Sequence, residues 1–341
     1  MTKVLDEAIG QLRDLPDEEQ EAAAEALFAF ISNDDRHYCR GPGSNRKRKA
    51  NFAMQRVLII GAGFAGMYAA TSAARLSHLQ GQSPKDLEIA LISPEPFLVI
   101  RPRLYEPKPE TMKAPLTELF REIDVRYVQG SVEMIDTASG LASFVGPEGK
   151  LETPGYDRLV LATGSTGFRP NVPSLAQHAF GVDLMDEAIK LDHHLHALAK
   201  QPPSKARNTV VVAGAGFTGI ETATEMPRRL RTILGNDADI RVVLVERGEL
   251  IAPQTGDNPR PVIAKAIRDA GVETILGMGV TALDESGVTL SNGQHIESAT
   301  VIWTAGMRAS SLPSTLDAEI SSWAASSDRG FRRPDDPACT S

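Results

Sequence analysis

Gln55-Arg56-Val57-Leu58-Ile59-Ile60-Gly61-Ala62-Gly63-Phe64-Ala65-Gly66 sets a short, nearly continuous apolar run directly before three glycines in a fixed pattern. A run of this length and β-branched character suits a parallel strand buried on both faces. Met67, Tyr68, Ala70, Ala74 and Leu76 continue with helical character, so the order is strand, glycine turn, helix. A dinucleotide-binding unit requires that order. Gly61 permits the tight turn, Gly63 lets a pyrophosphate approach the backbone, and Gly66 lets helix and strand pack closely. The helix start, with Phe64 and Ala65, offers unpaired N–H groups and a positive dipole end to phosphates.

One such pattern is weak evidence, but here it recurs. Asn208 to Ala213 leads into Gly214-Ala215-Gly216-Phe217-Thr218-Gly219, 153 residues after the first copy and again before a helical stretch, Ile220 to Leu234. The expected fold is therefore α/β, with two Rossmann-like units. An acidic partner for an adenosine ribose belongs at the end of each unit's second strand. Ile240 to Val245 ends at Glu246, whose carboxylate accepts from ribose hydroxyls and repels a 2′-phosphate, which favours NADH over NADPH. In the first unit Leu87 to Ile92 ends instead at Ser93, which offers a hydroxyl and no charge.

Two more strand-like runs close on small residues, where backbone can approach a cofactor without side-chain bulk. Tyr156 to Leu161 ends in Ala162-Thr163-Gly164, and Ala299 to Trp303 ends in Thr304-Ala305-Gly306.

The 341 residues accommodate roughly two domains, and 42% hydrophobic with 23% charged residues fits a globular chain. A net charge of −8 argues against general nucleic-acid affinity, and Arg46-Lys47-Arg48-Lys49 reads as part of a solvated linker. The apolar run after that basic stretch lies too deep in the chain and carries too many glycines for a signal peptide, and no spanning segment is visible. Cys39 and Cys339 are the only cysteines, so no local Cys-x-x-Cys or thiolate metal set can form. His193, His194 and His196 precede Gln201-Pro202-Pro203 without a ligand set at metal spacing, and no metal is expected. Residues 1–35 read as two short amphipathic helices around Pro16; their acidic sequence resembles small antitoxin-like proteins, which would make them an interaction module.

Gly61 to Gly66, Ala162-Thr163-Gly164, Gly214 to Gly219 and Trp303-Thr304-Ala305-Gly306, in that order, resemble the pyridine nucleotide-disulfide reductase superfamily, most closely its type II NADH dehydrogenases. The resemblance covers about residues 54–312. It implies FAD and NADH as cofactors, hydride transfer from NADH to FAD, and onward transfer to a quinone or similar acceptor. It places Arg101, in Arg101-Pro102-Arg103-Leu104-Tyr105-Glu106-Pro107, beside the FAD, and Glu221 toward the nicotinamide as the candidate catalytic side chain. On its own sequence Glu221 also reads as an ordinary first-turn glutamate, and Glu225 as an edge residue. With no cysteine pair, disulfide and sulfide:quinone chemistry fit poorly. The resemblance further implies a cytoplasmic location, peripheral contact with the membrane and the option of a homodimer.

Domain boundaries follow: a helical extension and linker at 1–53, the first FAD part at 54–165, the NAD(H) unit at 166–294, a return to the FAD unit at 295–312, and a disordered tail at 313–341. The Gly-Asp strand end that closes FAD domains of this superfamily, and the amphipathic C-terminal helices of type II enzymes, are not visible after Gly306. A truncated remnant that binds NAD(H) but is catalytically impaired is thus the alternative expectation.

Overall fold

The computed structural model describes residues 54–316. The expected helices at 1–35, the basic run, both cysteines and the tail from residue 317 lie outside them.

Strand β1 (Gln55–Ile60) feeds helix α1 (Phe64–Leu79), which returns the chain to β2 (Leu87–Ser93), parallel to β1. A hairpin of β3 (Phe97–Val99) and β4 (Lys113–Pro115) then leaves the sheet before helix α2 (Thr117–Glu122) and strand β5 (Val125–Gln129). An antiparallel meander, β6 (Ser131–Asp136), β7 (Leu141–Val145) and β8 (Leu151–Glu152), precedes β9 (Arg158–Leu161). The parallel order is β5-β2-β1-β9. Successive residues of β1 serve opposite faces: Leu58 and Ile60 enter one core, Ile59 the other. Burial on both faces explains why this strand reads as a continuous apolar run rather than an alternating one.

After β10 (Ser165–Gly167) come α3 (Leu175–His178), β11 (Ala179–Phe180), α4 (Met185–Leu198) and α5 (Lys205–Asn208). The second glycine pattern joins β12 (Thr209–Ala213) to α6 (Phe217–Leu234), followed by β13 (Arg241–Val245), α7 (Arg260–Asp269) and β14 (Val272–Ile275). A second meander, β15 (Val280–Asp284), β16 (Gly287–Leu290) and β17 (His295–Glu297), precedes β18 (Thr300–Trp303). The second sheet runs β11-β18-β12-β13-β14, and Val210 and Val212 face one core while Val211 faces the other.

This pairing corrects the boundary at 295. Thr300–Trp303 is the neighbour of β12 in the second sheet, with Val210 opposite Thr300 and Ala213 opposite Trp303. Only β19 (Met307–Ala309) turns back, pairing antiparallel with β10, and Leu312 then packs into the core that holds Leu58 and Ile60. Residues 312–315 form a 3₁₀ turn, so the expected tail is ordered through this point. Among the described residues, no helix is long and apolar enough to cross a membrane.

Candidate functional site

Both glycine turns sit at the carboxyl ends of parallel strands, where the strand order reverses between β1 and β9 and between β12 and β18. Crevices of that kind are where open α/β sheets bind ligands.

The protein itself accounts for two of the three glycines in each turn. Gly61 has φ +108° and Gly214 has φ +107°, a region side chains avoid. A Cβ on Gly61 would lie 2.3 Å from the Ala162 carbonyl oxygen, and one on Gly214 would lie 2.9 Å from the Ala305 Cα. A Cβ on Gly66 would meet the Gly61 carbonyl oxygen at 1.9 Å, and one on Gly219 the Gly214 oxygen at 1.8 Å. The middle glycines are different. Gly63 and Gly216 have φ −71° and −73°, open to any residue, and a Cβ on either meets nothing within 4 Å. Neither backbone strain nor packing explains them, and the space over each is open to a ligand lying against the backbone.

Gly63 and Gly216 are also the N-caps of α1 and α6, and neither helix has a side-chain cap or an acidic residue in its first turn. The first N–H groups of both helices therefore have no side-chain cap, and neither first turn carries an acid of its own against the positive end of the dipole. Phe64 and Phe217 are exposed beside these ends, Ala65 is exposed, and Thr218 is half-buried. The space and donors fit a pyrophosphate at each turn.

The strand-end residues diverge. Glu246 accepts from the Ala215 N–H (2.7 Å, Oε2) and the Gly248 N–H (2.9 Å, Oε1), so its carboxylate is held against the second turn where a ribose would lie. The Ser93 hydroxyl donates to the Glu95 carbonyl (2.7 Å), and the residue is 4% exposed. Ser93 thus shapes the chain leaving β2 rather than presenting a free hydroxyl to a ribose, because its buried oxygen takes the acceptor at hand.

The two small-residue phrases occupy equivalent places. The Ala162 N–H donates to the Ile60 carbonyl (2.8 Å), and the Thr304 N–H donates to the Ala213 carbonyl (2.9 Å). The Thr304 hydroxyl turns inward to the Ala213 and Gly214 carbonyls (2.9 and 3.1 Å from Oγ1), bracing the second turn. The Thr163 hydroxyl pairs with that of Ser310 (2.6 Å), and the Gly164 carbonyl accepts from the Ser310 N–H (3.2 Å). Gly306 accepts from the Phe168 N–H (3.0 Å), while Ala305 accepts from the Trp303 indole N–H (2.8 Å). Both exits are thereby stitched to the β10–β19 pair between the sheets.

Arg101 spends its guanidinium on protein. Its Nη1 donates to the Ser165 carbonyl (2.6 Å) and its Nε to the Asp183 carbonyl (3.0 Å). It lies beside Gly164, 3.8 Å from where a Cβ would be. Burial pushes the Asp183 carboxyl up, against the opposing pull of Arg101. Glu221 lies beyond the first turn of α6, so the reading as a dipole-favoured first-turn acid fails; desolvation raises its carboxyl above the ordinary glutamate value. Glu225 pairs with Arg228 at the helix edge. His194 contacts Thr300 Oγ1 through Nε2 (2.9 Å) and stacks on Phe180, and among the described residues no group of three ligating side chains could hold a metal.

Sequence reading missed a buried ion pair. Arg229 of α6 is bound to Asp192 of α4, and Arg229 Nη1 donates to the Tyr105 carbonyl (2.7 Å). The signal was present: Asp192 falls within the stripe Ala188, Leu191, Leu195 and Leu198, and Arg229 beside Met226 and Leu230. A charge inside an apolar stripe must find a partner.

Comparison with known proteins agrees with this geometry. The model of the pyridine nucleotide-disulphide oxidoreductase family matches residues 55–326. An NADH dehydrogenase-like protein of Mycobacterium tuberculosis is 41% identical over 271 residues, covering 77% of this chain and 65% of that protein. A demethylphylloquinone reductase of Synechocystis is 29% identical over 268 residues, covering 76% and 64%. The chain thus spans a little under two thirds of the length of these curated relatives. The solved structure of NDH2 from Plasmodium falciparum in complex with NADH shares the fold, with a TM-score of 0.64, 16% identity, and coverage of 77% of this chain and 57% of that one.

Proposed function

The chain belongs to the pyridine nucleotide-disulphide oxidoreductase family, and from that premise we propose that it is an FAD-dependent oxidoreductase that oxidises NADH and reduces a quinone-type acceptor. The observation that carries this reading is the pair of middle glycines, Gly63 and Gly216, which the protein's own packing does not require. Two cradles in one chain call for two dinucleotides. The quinone acceptor rests on the demethylphylloquinone reductase and on relatives named type II NADH:quinone oxidoreductase.

FAD, when bound, supplies the capacity to take a hydride and release electrons onward, chemistry that no side chain here provides. The protein's part is binding and placement. The first turn, Gly61 to Gly66, with the Thr163–Gly164 exit, would hold the FAD pyrophosphate and the adjoining part of the flavin. The second turn, Gly214 to Gly219, would hold that of NADH, with Glu246 taking ribose hydroxyls and disfavouring a 2′-phosphate. Thr304, Ala305 and Gly306 keep the second turn in shape and leave its exit free of bulk. Glu221, with its carboxyl raised, can keep a proton near the nicotinamide side to higher pH than an ordinary glutamate. A lipid-soluble acceptor would bring the protein to a membrane surface.

The test is direct. The full chain, purified and incubated with FAD, is expected to be yellow and to bleach on anaerobic addition of NADH, with NADPH less effective. A chain that takes up no FAD refutes the reading.

A further inference from the structure

We propose that Arg229 is a positioning residue for hydride transfer, latching residues 100–112 of the first unit onto helices α4 and α6 of the second. The role in hydride transfer rests on the functional reading above; the latch rests on the contacts alone.

Residues 100–112 form the tip of the β3–β4 hairpin, closed at its base by the Ile100 N–H donating to the Met112 carbonyl (2.8 Å). This arm has no counterpart in the second unit, where the segment after β13 folds back on its own turn through the Ala252 N–H and the Ala215 carbonyl (2.9 Å). The arm instead crosses over. The Tyr105 side chain packs against the core formed by Leu191, Leu195, Met226 and Leu230. Its carbonyl accepts from Arg229, whose side chain is 2% exposed, and the same guanidinium is paired with Asp192. Four residues before Tyr105, at the base of the arm, Arg101 donates to Ser165 in β10 and to Asp183 after β11. Two arginines therefore hold the first half of this short segment: Arg229 of the second unit at Tyr105, and Arg101, four residues earlier, at Ser165 and Asp183.

A buried ion pair is a poor way to gain stability, since well-packed apolar residues of similar volume serve as well or better. What the guanidinium adds is direction: its planar donors fix the Tyr105 carbonyl and the Asp192 carboxylate at set angles. Direction matters because hydride transfer needs reacting atoms about 3–3.5 Å apart, and the two dinucleotides are held by different sheets. The arm joins those sheets close to the Gly164 exit.

The informative variant is Arg229→Met with Asp192→Leu, which removes both charges together and leaves the Tyr105 carbonyl without its donor. Its thermal midpoint is expected at or above wild type, yet hydrogen exchange at residues 100–112 should quicken by about ten-fold or more while β12 stays protected. In the FAD-loaded chain, the flavin reduction rate at saturating NADH should fall by about ten-fold. The deuterium isotope effect should rise, NADH affinity should be unchanged, and Arg229→Lys should recover part of the rate. Exchange at residues 100–112 that matches wild type overturns the latch. A wild-type reduction rate in a chain whose arm exchanges faster overturns the positioning role. Should wild type itself not be reduced by NADH, the functional reading falls and takes the positioning role with it, and exchange alone then decides the latch.

Discussion

The first and second units follow one plan: strand, glycine turn, helix, two further parallel strands, a three-stranded antiparallel meander, and a fourth parallel strand that closes beside the first. The agreement reaches single bonds. The Gly61 N–H donates to the Ile92 carbonyl and the Gly214 N–H to the Val245 carbonyl, both at 2.8 Å. Where the units differ, they differ in what lies next to the turn. The second has Glu246 tied to it; the first has a buried Ser93 and sends out an arm. The shared parts make a phosphate cradle, and the differing parts decide which nucleotide fills it and how the two are aligned.

The harshest way to break this equivalence is to place a methyl on the third glycine. In Gly66→Ala and Gly219→Ala, the new carbon would sit within 2 Å of a backbone oxygen that belongs to the same turn and cannot withdraw. Both should lose on the order of 3–5 kcal/mol in chemical denaturation. A large loss in one and none in the other would show that the two turns are not built alike.

The middle glycines sharpen the comparison, since there the protein and the ligand make opposite demands. Gly63→Ala and Gly216→Ala put a methyl into open space at an ordinary φ, so stability should stay within about 0.5 kcal/mol of wild type or rise. FAD uptake by the first variant and NADH binding by the second should each weaken about 10- to 100-fold, because the phosphate would meet the methyl. Unchanged FAD uptake in Gly63→Ala would mean that FAD does not lie against the first turn, and would break the equivalence of the two cradles.

At the strand ends the expected effects are smaller and unequal. Glu246→Gln turns one acceptor into a donor facing an N–H group. It should cost about 1.5–3 kcal/mol and weaken NADH about ten-fold, with NADPH affected less. Ser93→Ala removes one neutral bond to Glu95 and should cost about 0.5–1.5 kcal/mol without changing FAD affinity. Calorimetry with each nucleotide separates the two cases. A loss of FAD affinity in Ser93→Ala would return that hydroxyl to the ribose site.

How far sequence reached follows from the range of each interaction. The turns, their strands and Glu246 were legible because glycine geometry and buried apolar runs are local rules, written within about a dozen residues. The sheet that Thr300–Trp303 joins was not, because a short apolar run suits either sheet and only pairing over 90 residues of chain decides it. The directions of the Thr304 and Ser93 hydroxyls were hidden for the same reason: each depends on which carbonyl the fold brings near. Arg229 reads as one more base in Arg228-Arg229-Leu230-Arg231, and only its place on the apolar stripe marks it.

The smallest expected difference lies in acid. His194 sits in the second unit with its ring against Phe180 and Thr300, and burial holds its pKa below the ordinary value, opposed in part by the Ala299 carbonyl. In the first unit His78 is exposed on α1. Above the ordinary histidine value of about 6.5, His194 is neutral in both folded and unfolded chains, and its contribution is fully present. As pH falls below that value the unfolded chain takes up the proton first, so stability drops until the lowered folded pKa is passed. Protection of β12 and β18 against hydrogen exchange should therefore fall with pH in this window, and His194→Gln should flatten that part of the decline. A slope that is the same in His194→Gln would mean that the second unit's acid response arises elsewhere, and the comparison would then rest on the turns and the arm alone.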